Sequence, residues 1–189
     1  SRPILVGDLA VRRPSHRMVR RPVSHGMPVR ATIETYQRKE DFMAAIRRAT
    51  SIWTGDLMTG SGEVDAESSG AFGGLPMTWA SRTETADGRT SPEELLAAAH
   101  SSCFSMAFSG DLAKAGFVPE TLTVSSEVTL DRVDGRWTVV SSKLTVHGRA
   151  RGADQERFQA IAEQAKNGCP MSRALQGNLS LSVEATLDT

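Results

Sequence analysis

The chain has 189 residues, enough for one domain with a substantial core. Lys plus Arg and Asp plus Glu each total 22, so the net charge of zero supplies no general attraction to nucleic acid or an anionic membrane. No run approaches the roughly 18 apolar residues of a membrane span, and the cysteines number two, Cys103 and Cys169.

The balanced charge hides an asymmetry. Residues 1–30 hold Arg2, Arg12, Arg13, Arg17, Arg20, Arg21 and Arg30 against one acid, Asp8. Such an arm could contact RNA or carry a targeting signal. The blander expectation is a disordered or tag-derived leader, with Met27 and Met43 as alternative starts. Residues 1–42 are assigned to a basic extension and 43–189 to the folded domain. With no secretory signal the cytoplasm is expected, where a lasting structural disulfide is unusual and a transient catalytic one is not.

Glu40 to Thr50 has the spacing of a short helix, although Ile46 onward suits a strand equally. Short strands follow at Ser51 to Thr54, Gly60 to Glu67 and Leu75 to Thr83, with turns at Gly73-Gly74 and Asp87-Gly88, predicting a small antiparallel sheet. Ser91-Pro92-Glu93-Glu94 then reads as a helix start, with Ser91 as N-cap, Pro92 at N1 and Glu94 completing a capping box. This helix is predicted to run to about Ala115 and stop at Gly116. Its apolar and small residues predict burial on several sides, against a sheet and against a second copy of itself.

Thr121 to Asp131 and Arg136 to Val146 alternate around Val133-Asp134-Gly135, a hairpin signal. The alternation on the second arm is interrupted between Val139 and Leu144. Asp154 to Lys166 has helical spacing and ends at Asn167-Gly168, Pro170 restarts a short helix through Leu175, and Leu179 to Ala185 alternates as a last strand. The order predicts an α+β fold with antiparallel sheets around a long buried helix.

The two thiols could be inert core residues, a structural crosslink or a redox couple, and their settings favour the couple. Cys103 lies in the apolar helix, where desolvation disfavours a thiolate. His100, three residues earlier, can share its face. Cys169 sits between Gly168 and Pro170 at a helix start, whose free N–H groups favour negative charge.

Three stretches carry a specific resemblance: Trp53 to Asp56 (WTGD), Ser91 to Ala107 (SPEELLAAAHSSCFSMA) and Lys166 to Ser172 (KNGCPMS). From roughly Met43 onward the chain resembles the OsmC/Ohr family of organic hydroperoxide reductases, with the OsmC branch nearest. The resemblance implies an intertwined homodimer with a site at each subunit interface, built from two cysteines, an arginine and a glutamate. By position, Cys103 resembles the peroxidatic cysteine and Cys169 the resolving one. Arg82 matches the arginine of the strand before the long helix, and Glu93 matches the glutamate. Glu94, at N3, keeps a structural task. About 15 Å of helix separates Glu93 from Cys103, so Glu93 is expected to serve a partner's site or to hold Arg82.

The implied reaction converts Cys103 to a sulfenic acid with release of an alcohol, then forms a Cys103–Cys169 disulfide that a dihydrolipoyl group or small dithiol reduces. No cofactor and no metal are implied. Met77, Trp79, Phe104 and Phe108 are candidates for an apolar substrate pocket, each with core packing as an equal alternative. One rival is a Cys103–His100 hydrolase, which leaves Cys169 unexplained. Another is a metal site using Cys103, Cys169, His100 and His147, whose spacing is poor. The non-enzymatic alternative is a stress-associated binding protein with a nucleic-acid-contacting arm, a thin signal without interleaved aromatics.

Overall fold

The structure, a computed structural model, describes residues 44–188. The expected 1–42 extension and its boundary at residue 43 lie outside the described residues. Of the short helix weighed at 40–50, residues 44–49 have no regular structure and Thr50 opens a strand.

Three strands, β1 (Thr50–Thr54), β2 (Ser61–Asp65) and β3 (Leu75–Thr78), form an antiparallel sheet in that order. Gly62 pairs with both Trp53 and Met77. A Cβ at Gly62 would lie 2.6 Å from the Ile52 carbonyl oxygen and 2.9 Å from the Trp53 ring, so only glycine lets the indole lie across the sheet.

The strand expected from Leu75 to Thr83 stops at Thr78, and Trp79–Thr83 forms a short helix, α1. The cause is local. Thr78 Oγ1 accepts the Ser81 N–H and Ser81 Oγ accepts the Thr78 N–H, both at 3.0 Å, a reciprocal cap that competes with strand pairing. Arg82 is therefore on a helix, not on the strand its sequence context suggested. The Thr90 N–H donates to the Pro76 carbonyl at 2.9 Å, and this folds α1 back onto the start of the next helix.

That helix, α2 (Pro92–Lys114), begins with Ser91 Oγ accepting the Glu94 N–H at 3.1 Å. The capping box is only half made, because the Glu94 carboxylate takes the Thr90 hydroxyl at 2.8 Å. Gly116, at φ 86°, ends the helix. There the Phe117 N–H bonds to the Leu112 carbonyl and the Gly116 N–H to the Ala113 carbonyl, the paired bonds of a glycine-stopped helix. His100, Phe104, Phe108 and Leu112 are fully buried at four-residue intervals. The opposite face is open: Ala98, Ala99 and Ser102 are exposed, and Met106 is 69% exposed. Within one chain α2 thus buries this stripe and leaves uncovered the opposite face, where packing on a second copy is expected.

The second sheet comprises β4 (Val118–Val133), β5 (Arg136–Arg151) and β6 (Ser180–Leu187). Asp134 and Gly135, at φ 50° and 77°, make the tight turn between β4 and β5. Thr129 pairs with Ser141 and Leu130 with Val139, leaving Val140 as an extra residue in β5. This bulge explains the broken alternation. It reverses parity, so the buried positions after it are Ser142, Leu144 and Val146.

Between β5 and β6 run α3 (Gln155–Gly168) and α4 (Pro170–Leu175). This helical crossover returns β6 parallel to β5, the one departure from the expected antiparallel pairing. The outer edge of β6 is occupied by α3: the Gln155 amide nitrogen donates to Ala185 O at 2.8 Å, and Gln159 Oε1 accepts the Ala185 N–H at 2.7 Å. The core joins α2, α3 and this sheet, with Phe108 and Phe158 rings edge to face at 4.9 Å.

Candidate active site

Cys169 is the hinge between two helices. Its N–H donates to Ala165 O at 2.8 Å, closing α3, and its carbonyl accepts the Arg173 N–H at 2.9 Å, opening α4. Pro170 at N1 cannot donate to α3 and presets the new helix. The backbone of Cys169 is therefore held from both sides, and its side chain is fully buried. Cys103, in the middle of α2, is half-buried. Both cysteines are free thiols, with their Sγ atoms 3.4 Å apart. A disulfide of about 2.05 Å requires an approach of only about 1.4 Å. Burial pushes the Cys103 thiol pKa up, a backbone hydrogen bond with Met171 pulls it down, and the Cys169 sulfur adds to the upward push.

One turn from the sulfurs lies a second buried contact. His100 Nδ1 is 2.7 Å from Ser142 Oγ on β5, and its Nε2 is 2.8 Å from Ser172 Oγ on α4. Ser142 Oγ is in turn 3.0 Å from Ser126 Oγ on β4. Burial lowers the His100 pKa, keeping the imidazole neutral. Both ring nitrogens are committed to serines, so His100 does not act as a base on Cys103 and the hydrolase alternative loses its activating group. His100 and Cys103 do face the same short helix α4, His100 through Ser172 and Cys103 through Cys169, but the imidazole is spent on hydroxyls and not on the thiol. Among the described residues no three of His, Cys, Asp and Glu gather as a metal set.

Arg82 and Glu93 form the expected ion pair. Arg82 Nε reaches Glu93 Oε1 and Oε2 at 3.0 and 3.1 Å, and Nη2 reaches Oε1 at 2.7 Å. The guanidinium also lies 5.7 Å from the Trp79 ring centroid. This pair borders a cleft of about 290 Å³ lined by Trp53, Leu57, Met77, Thr78, Trp79, Arg82 and Pro92. Met77 and Trp79 therefore line a cleft, though one beside the ion pair and not beside the thiols of the same chain. Phe104 and Phe108 do not: both are fully buried on the core stripe of α2, packed toward Phe158.

Three residues near this cleft were not anticipated there. Trp53 and Leu57 flank the β1 turn, and Trp53 was noted only as part of WTGD. Trp137, at the start of β5, meets Trp79 edge to face at 5.8 Å. No periodicity could have joined it to α1, because the contact depends on where the long hairpin ends. Glu93 and Cys103 both lie on α2, so about 15 Å separates the ion pair from the thiols of the same chain. Within a single chain the thiol pair and the ion pair thus stand apart.

A family model described as OsmC-like protein matches residues 85–184, just over half of the chain and including both cysteines. The chain belongs to the OsmC-like protein family. Peroxiredoxin OsmC of Escherichia coli (strain K12) is 37% identical over 139 residues, covering 74% of this chain and 96% of that protein. An organic hydroperoxide resistance protein of Xanthomonas axonopodis pv. citri (strain 306) is 26% identical over 95 residues, covering 50% of this chain and 65% of that protein. Among solved structures, the organic hydroperoxide resistance protein OhrB of Bacillus subtilis superimposes with a TM-score of 0.59 at 21% identity, over 74% of this chain and 98% of that one. The α+β arrangement of this chain is therefore the OsmC-like fold, and its thiol pair lies within the family-matched segment.

Proposed function

We propose that this protein reduces organic hydroperoxides to alcohols and is recycled by a dithiol. The observation that carries the reading is the 3.4 Å approach of the only two sulfhydryls, one buried at a helix junction and the other half-buried. The names of the Escherichia coli and Xanthomonas relatives, a peroxiredoxin and a hydroperoxide resistance protein, agree with it.

In the first step the Cys103 thiolate attacks the terminal oxygen of R–O–O–H. The O–O bond breaks, the alkoxide takes up the proton lost by Cys103, and R–OH leaves behind Cys103 sulfenic acid. The Cys169 sulfur then attacks Cys103 Sγ, breaking the S–O bond. Hydroxide takes the Cys169 proton and departs as water, and the disulfide is formed. A dihydrolipoyl group or small dithiol returns both thiols by exchange, itself becoming a disulfide. Such donors suit the reducing cytoplasm.

Arg82 is assigned to stabilising the thiolate and the developing charge, with Glu93 fixing its orientation. The 15 Å separation along α2 favours an intertwined homodimer, in which the Arg82–Glu93 pair of one subunit serves Cys103 of the other. The exposed small-residue face at Ala98, Ala99 and Ser102 gives room for that packing. The upward push on the Cys103 pKa in one chain is what a second subunit's guanidinium would offset. The Trp53–Leu57–Met77–Trp79 cleft then supplies apolar contact for the organic group.

Steady-state assays with a dihydrolipoyl donor test this reading. The expected result is a kcat/KM for cumene hydroperoxide well above that for hydrogen peroxide, with light scattering reporting a dimer over a wide dilution range. A monomer equally efficient toward both peroxides refutes the interface-built pocket.

A further inference from the structure

The proposed cycle leaves one buried ionisable side chain without a task. His100 is fully buried, and both of its nitrogens are spent on serine hydroxyls from two different elements. Cys103 follows His100 by three residues on α2, and Ser172 follows Cys169 by three on α4. The two helices are therefore joined by two rungs one turn apart: sulfur to sulfur at 3.4 Å and imidazole to hydroxyl at 2.8 Å.

The helix on the far side of those rungs has little to hold it in place by itself. It is six residues long, and Cys169 gives its N-terminus no side-chain cap. Such a short helix is stable only through its tertiary contacts. His100 supplies one of them and is itself braced from behind, because Nδ1 contacts Ser142 in the core strand β5, which contacts Ser126 in β4. The strand hairpin thereby fixes the imidazole, and the imidazole fixes α4.

We propose that His100 is a positioning residue for the resolving step, acting through Ser172 to keep Cys169 within striking distance of the Cys103 sulfenic acid. The inference rests on the thiol cycle proposed above. Formation of the disulfide needs about 1.4 Å of further approach. With the His100–Ser172 rung intact, rotation about the two Cα–Cβ bonds can provide it. Once that rung is lost, α4 can tilt about its junction with α3 and carry the Cys169 sulfur off line, and an ångström of misplacement costs up to about two orders of magnitude in rate.

The two ring nitrogens can be imitated separately. Glutamine places a polar atom near the Nε2 position and keeps the bond to Ser172, whereas asparagine reaches only the Nδ1 position and keeps the bond to Ser142. In the full chain, rapid mixing with cumene hydroperoxide separates sulfenic acid formation from disulfide formation. His100→Asn and Ser172→Ala are expected to slow the disulfide phase about tenfold or more. His100→Gln should hold it within about threefold of wild type, and in all three variants sulfenic acid formation should change by less than about threefold. The pair His100→Asn with Ser172→Ala should be no slower than either change alone. Ser172→Ala removes one hydroxyl with little change in volume, so it keeps the test open should a histidine variant fail to fold.

Equal disulfide rates for Asn and Gln, or losses shared equally by both phases, overturn the assignment. If the wild type forms no disulfide, the thiol cycle and this inference fail together. If the wild type forms it and Ser172→Ala resolves at the same rate, only the role of His100 fails.

Discussion

Glu93 and Glu94 are adjacent acids with different work, and replacing each with glutamine separates them. The Glu93 carboxylate accepts three Arg82 hydrogen bonds of 2.7 to 3.1 Å, with side-chain exposures of 9% for Glu93 and 29% for Arg82. Removing one member of a fully buried pair costs about 3–5 kcal/mol, and an exposed pair contributes about 0–1 kcal/mol. The arginine's residual contact with water places Glu93→Gln between these limits, at about 1.5–3 kcal/mol. For a chain of this size that lowers Tm by about 3–12 °C. Glu94→Gln leaves the Ser91 cap intact, because that bond uses the backbone N–H of residue 94. The glutamine carbonyl can also still accept the Thr90 hydroxyl, so the change should stay within about 0.5 kcal/mol. Urea denaturation at unchanged m-value measures both. The same pair should differ in kcat/KM for an organic hydroperoxide, with Glu93→Gln the slower. A loss for Glu94→Gln equal to or greater than that for Glu93→Gln, in stability and in rate, would refute the division of labour.

Phe108→Ala should cost about 3–5 kcal/mol by opening a cavity against Phe158, with KM for cumene hydroperoxide unchanged in the folded fraction. Trp79→Ala should raise that KM about tenfold while leaving hydrogen peroxide turnover nearly unaffected, as measured by steady-state kinetics. Cys169→Ala should consume one equivalent of hydroperoxide and stop at a sulfenic acid that dimedone traps, in the absence of added thiol. The lowered His100 pKa has a definite sign. Its stabilisation is fully present above an imidazole's ordinary 6.5 and is lost as pH falls toward the lower folded value, because the unfolded chain then binds the extra proton. Urea midpoints should fall over that window in wild type and fall less in His100→Gln.

Much of the fold is written in local signals. Ser91-Pro92 and Gly116 bound α2 closely because caps and left-handed stops act within a few residues. Asp134-Gly135 sets the hairpin for the same reason. Even the broken alternation in β5 was visible, although its cause, the unpaired Val140, needed the register of both strands. What escaped was one local competition, between a cap and a strand, and otherwise partners distant in sequence. Thr78 and Ser81 capped a helix where β-propensity suggested a strand. The parallel return of β6 follows from how α3 and α4 cross the sheet. Phe104 and Phe108 share the helix of Cys103 but point into the core, a difference of rotation about the helix axis that composition does not reveal. The site was legible as residues and not as geometry: motif resemblance chose Cys103, Cys169, Arg82 and Glu93, while the His100–Ser172 rung joins positions 72 apart.

The most direct measurement is peptide mass spectrometry on the full chain after one equivalent of cumene hydroperoxide, with free thiols alkylated at once. The account predicts a peptide pair linked through Cys103 and Cys169 that disappears when dihydrolipoate is added before alkylation. Two alkylated cysteines surviving a full equivalent of hydroperoxide would contradict it.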